Sequence, residues 1–116
     1  MNYQLSKSDK KIARACIDKG VDAEFREGLE IFEAIIHDWR SGQFFDNREA
    51  YHKLYQAVRE KDKAIRRRYD GLTGSHWLGA VAAILHDGYI SKEDIASFSD
   101  ETKAQLERRS RLLGEE

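Results

Sequence analysis

The stretch RRRYDGLTGSHWLGAVAAILHDG, residues 66–88, decides the fold class. From Trp77 to Leu85 it carries no charge, so a helix there has no polar face to turn to water and must be surrounded. This predicts the axis of a helical bundle. Trp77, Leu78, Val81, Ile84 and Leu85 form a bulky side, while Gly79 and Ala83, with Ala80 and Ala82 beside them, form a small side that admits another backbone. Ser75 is placed to cap this helix and Gly88 to stop it, giving a span from His76 to Asp87.

Working outward, the chain reads as helix throughout. There is no proline, and alternating β-branched runs with hairpin turns are missing. A first helix is expected from about Lys7 to Lys19, closed by Gly20, and a second from Asp22 to just before Gly42. Asp46 with Glu49 has the form of a capping box for a third, which runs to about Tyr69 ahead of Gly71. A short fifth from Ser91 to Ser97 and a sixth from Ser99 to near Gly114 complete the count. The expectation is therefore an all-α, compact single-domain bundle (residues 1–116) of about five to six helices around Trp77–Leu85. The charge-rich helix from about residue 100 is expected to be peripheral.

In the second helix Phe25, Leu29, Phe32, Ile36 and Trp39 alternate at spacings of four and three and form one stripe. Tyr51, Leu54, Tyr55, Val58, Ile65 and Tyr69 do the same in the third. Both stripes are expected to pack around the central helix.

Composition bounds the function. A chain of 116 residues, 41% apolar and 35% charged with net charge −1, has no global field to recruit nucleic acid or an anionic membrane. No run nears 18 apolar residues, and the first residues lack the pattern of a signal peptide, so a cytoplasmic location is expected, with no membrane partner. The one cysteine, Cys16, excludes an internal disulfide and reads as a small buried apolar residue.

Metal ligation is not expected. Glu49 and His52 form a single Glu-x-x-His on the polar side of their helix, and a di-iron site needs two such pairs. Glu30, Glu33 and His37 share a face well away from the aromatic stripe. The dipeptides His37-Asp38 and His86-Asp87 lack the further ligands of a metal phosphohydrolase. A calcium loop centred on Gly88 would put Ala83 and Leu85 at ligand positions. Ser91 to Arg111 lacks the glycine turn and buried positions of a DNA-reading helix pair. No cofactor is implied.

Two features remain. Asp62 falls about 20° from Tyr51 on the helical wheel, within the third helix's apolar stripe, so it is expected to be buried and paired, with Arg66 one turn on. Its alternative role is an acid–base group in a pocket. From Lys53 to Arg68 seven cations stand against two carboxylates, a local balance of +5. Beyond them Thr73, Ser75 and His76 open the central helix, whose first amides lack partners within it. Arg67, Arg68, Thr73, Ser75 and His76 are thus the candidates for holding a phosphate or carboxylate. The three arginines point three ways, which weakens the case for one nucleic-acid patch.

The leading expectation is a small helical interaction or regulatory module that binds a protein partner or itself, through the aromatic stripes or the Gly79–Ala83 face. A phosphate- or nucleic-acid-binding module using Arg66 to His76 comes second. A hydrolase with an assembled acid–base site, using Asp62 or a histidine, comes third.

Overall fold

Lys7–Arg40 forms one unbroken helix, α1, where the sequence pattern predicts two. Gly20 and Asp22 have the form of a stop and a start, yet the helix runs through both and buries Gly20. A glycine inside a helix costs about 1 kcal/mol relative to alanine, too little to break one that packing holds on either side. The computed structural model describes residues 3–114. Among them follow α2 (Asn47–Tyr69), a 3-10 turn (Gly74–His76), α3 (Trp77–His86) and α4 (Asp100–Leu113), with no strand. The all-α class holds, and four α-helices stand in place of the five to six expected. Gly42, Gly71 and Gly88 do act as stops, each with φ between +73° and +82°.

The chain divides into two compact units, one made of Met1–Ala23 with Gly71–Glu116 and the other of Glu24–Asp70. In the first, α3 packs against α4. Val81, Ile84 and Leu106 are fully buried, and Ala13 and Cys16 of α1 are buried in the same unit. The peripheral position expected for α4 is therefore corrected: Thr102 and Leu106 are both at 0% exposure. Two well-placed inward residues are enough to seat a helix that is otherwise charged.

The predicted short helix at Ser91–Ser97 is instead a run of tight turns, with Asp94 N–H donating to Ser91 O (3.0 Å), Ala96 N–H to Glu93 O (3.2 Å) and Phe98 N–H to Ile95 O (3.1 Å). The turns bring Ile90, Ile95 and Phe98 inward, and all three are buried. Ser75 does not cap α3. The 3-10 turn intervenes, and the N-cap position is His76, without a side-chain cap. The small side of α3 has no backbone against Gly79, where an added Cβ would meet nothing within 4 Å. Trp77 instead lies under the Arg14 guanidinium at 5.6 Å.

The second unit is a helical hairpin of α1 from Glu24 onward and α2. Gly42 closes α1, with Gln43 N–H donating to Asp38 O at 2.9 Å in the pattern of a Schellman cap. Half of the predicted capping box is present: Asp46 accepts from Glu49 N–H at 2.8 Å, while the Glu49 side chain reaches past the cap to Phe45 N–H at 3.4 Å. Glu24, Gly28 and Ile35 of α1 and Ala50 and Ile65 of α2 are buried. An added Cβ on Gly28 would come within 3.0 Å of Lys61 Cγ, so glycine is what admits that side chain. Lys61 pairs with Glu27, Arg68 Nε lies 3.2 Å from Glu24 Oε2, and Trp39 Nε1 donates to Asn47 Oδ1 at 2.9 Å. These cross-links fix the level of one helix against the other.

Candidate functional site

The buried row of each hairpin helix is not the middle of its apolar stripe. On a helical wheel Glu24, Gly28 and Ile35 lie roughly 80° from the centre of the α1 stripe, and the buried side of α2 is displaced by a similar angle. Gly28 leaves the space that the Lys61 stem fills, with Lys61 Cγ 3.0 Å from where a Cβ would stand, and Ala50 is buried on α2. The large side chains are left outside. Leu29 is 66% exposed, Tyr51 70%, Tyr55 56% and Phe25 51%, and Ile36, Trp39 and Val58 are each above 40%. They lie on one face spanning both helices. Phe25, Leu29, Val58 and Asp62 line one shallow groove on it, and Ile36, Trp39, Tyr51 and Leu54 line another.

This geometry corrects the reading of Asp62 as buried. It continues the row of Tyr51, Tyr55 and Val58, and that row faces outward. Its side chain is 54% exposed and pairs with Arg66 Nη2 at 2.8 Å, the partner one turn on that the sequence predicts. An exposed pair of this kind is worth less than about 1 kcal/mol. Asp62→Ala is therefore expected to change the unfolding free energy by less than about 1 kcal/mol in urea denaturation, and a loss above about 2 kcal/mol would show the carboxylate to be buried after all.

Of the anion candidates, Arg67 is exposed, and Arg68 is turned to the buried carboxylate of Glu24. Thr73, Ser75 and His76 do come together. Thr73 Oγ1 lies 2.9 Å from Ser75 Oγ and 2.9 Å from His76 Nδ1, so these three groups bond to one another. Glu30, Glu33, His37, Glu49 and His52 are all exposed, with Glu30 held by Arg26 at 3.2 Å. Among the described residues no three His, Cys, Asp or Glu side chains are grouped to hold a metal ion. None of the described helices is long and apolar enough to cross a membrane.

A buried carboxylate in the first unit escapes sequence reasoning. Asp9, 3% exposed, accepts from Ser99 N–H (3.1 Å), Ser99 Oγ (2.8 Å) and Thr102 Oγ1 (2.6 Å), and Tyr3 Oη lies 2.9 Å from the same threonine oxygen. One carboxylate thus ties the first turn of α1 to the start of α4. Burial raises its pKa, but the hydrogen bonds from Thr102 and Ser99 outweigh that and hold it below 3.8. Ser6-x-x-Asp9 and Ser99-x-x-Thr102 are each legible as helix starts, and Ser6 Oγ does accept from Asp9 N–H at 3.0 Å. That the two starts share a carboxylate is not. A broad depression beside them is lined by Gln105, Arg108 and Arg109, and the one buried carboxylate there, Asp9, is already engaged.

Cys16 is buried as expected. Burial, with Asp94 nearby, pushes its thiol up to about 11, and Sγ donates to Asp94 O at 3.5 Å. That is a poor environment for a nucleophile. Among the described residues, the apolar face of the hairpin stays open. Comparison with family models, with curated proteins and with solved structures returns no match for this chain.

Proposed function

We propose that this protein is a helical interaction module that associates with a second copy of itself through the open apolar face of its hairpin. The observation that carries this reading is the exposure of Phe25, Leu29, Ile36, Trp39, Tyr51, Tyr55 and Val58 on one face. Together they present on the order of 700 Å² of side chain, more than a monomer ordinarily leaves in one patch. Two such faces in contact would bury roughly 1,400 Å², within the range of stable specific interfaces. A face flanked by salt-bridged helices and built on a rigid hairpin needs little ordering on association, which favours binding.

Light scattering or equilibrium sedimentation tests this directly. The expected particle has twice the 13.5 kDa mass of the chain. Val58→Glu is expected to weaken association by about 100-fold or more, because each interface would then bury an unpaired carboxylate. Val58 is on the outer row, so the variant should keep its helical circular dichroism. A 13.5 kDa particle persisting up to about 100 µM protein would overturn the reading.

A further inference from the structure

We infer that the two hairpins pair about a twofold axis running along their helices, so that α1 of each copy lies on α2 of the other in a four-helix bundle. This rests on the self-association proposed above. Two elongated hairpin faces can meet with twofold symmetry in two ways. With the axis along the helices, α1 covers the second copy's α2 and both turns lie at the same end. With the axis across the helices, α1 covers α1, α2 covers α2, and the turns lie at opposite ends.

Charge separates the two. The hairpin part of α1, residues 24–40, carries five carboxylates against two arginines, a balance of −3. Helix α2, residues 47–69, carries eight cations against three carboxylates, a balance of +5. The axis across the helices lays +5 on +5 and −3 on −3. Like charges placed opposite one another at an interface cost association and exclude that register. The axis along the helices keeps the levels set by Glu27–Lys61 and Trp39–Asn47. Arg26 then stands level with the second copy's Asp62. One like pair, Arg40 with Arg48, remains near the turn, where the Arg40 guanidinium is already stacked 5.3 Å over Trp39. Every neighbouring pair of helices in this bundle is antiparallel, as in up-down four-helix bundles.

Gln43 lies exposed in the turn and reports the axis. A spin label on Gln43→Cys reads the distance between the two turns by pulsed electron resonance, with the buried Cys16 left in place. Turns at one end predict a separation below about 30 Å. Turns at opposite ends of helices of this length predict about 35 Å or more. The mass of the labelled protein is measured alongside. A dimer with the long distance overturns this arrangement and leaves self-association standing, whereas a monomer overturns both.

Discussion

Leu106→Ala is expected to lower the unfolding free energy by about 3–5 kcal/mol, the range for deleting a fully buried leucine side chain when its surroundings relax only in part. Leu106 has no exposed surface and belongs to α4, which packs on α3. Against a typical total of about 5–15 kcal/mol this is a large fraction, and it should appear as a clear fall in the urea midpoint. The measurement needs one protein concentration throughout, since the self-association proposed above would add to apparent stability. A loss below about 1 kcal/mol would restore the peripheral α4 that the charge-rich sequence suggests.

Asp9→Ala is expected to cost about 2–4 kcal/mol, because it removes the acceptor shared by three donors, one of them fully buried. Ser99 N–H, Ser99 Oγ and the fully buried Thr102 Oγ1 all lose their acceptor. Asp9→Asn keeps an acceptor oxygen and should cost less. The pH dependence gives an independent check. Asp9 titrates below its ordinary 3.8 in the folded chain. So does Asp94, through hydrogen bonds from Lys19 and Ser91. Each folded pKa lies below the unfolded one, so the unfolded chain binds more protons in acid. The stability these carboxylates contribute is complete above about pH 4 and is lost as pH falls through the folded values. Wild-type protein should therefore destabilise steeply below about pH 4, and Asp9→Ala should show a shallower slope there. Equal acid slopes would show that the carboxylate is not held in its charged form.

What was legible in the sequence was local. Asp46 and Glu49 cap α2 because capping needs only residues three apart, and Gly42, Gly71 and Gly88 sit where positive φ is required. The apolar run at Trp77–Leu85 is a helix that buries Leu78, Ala80, Val81, Ala82 and Ile84, although it is not surrounded, for Gly79 stays exposed. What failed needed tertiary information. Gly20 has the form of a stop, and only packing on either side decides that α1 continues. Asp62 lies on the α2 stripe, as periodicity says, but periodicity cannot say which edge of a stripe meets the neighbouring helix. Gly28 marks that edge, with the Lys61 stem seated where its Cβ would stand. The Asp9 network joins residues 90 and 93 positions apart, which no spacing rule reaches.

The seclusion of Cys16 makes the wild-type chain its own clock. Its thiol is 3% exposed, and with a pKa of about 11 it is almost wholly protonated near neutrality. A maleimide or iodoacetamide can therefore react at speed only in molecules where α1 has parted from the turn around Asp94. The alkylation rate divided by that of the unfolded chain is then the fraction of time this contact is open. With Trp77 of the first unit replaced by phenylalanine, Trp39 fluorescence reports on Glu24–Asp70. Together the two signals tell whether the two units melt as one or in succession.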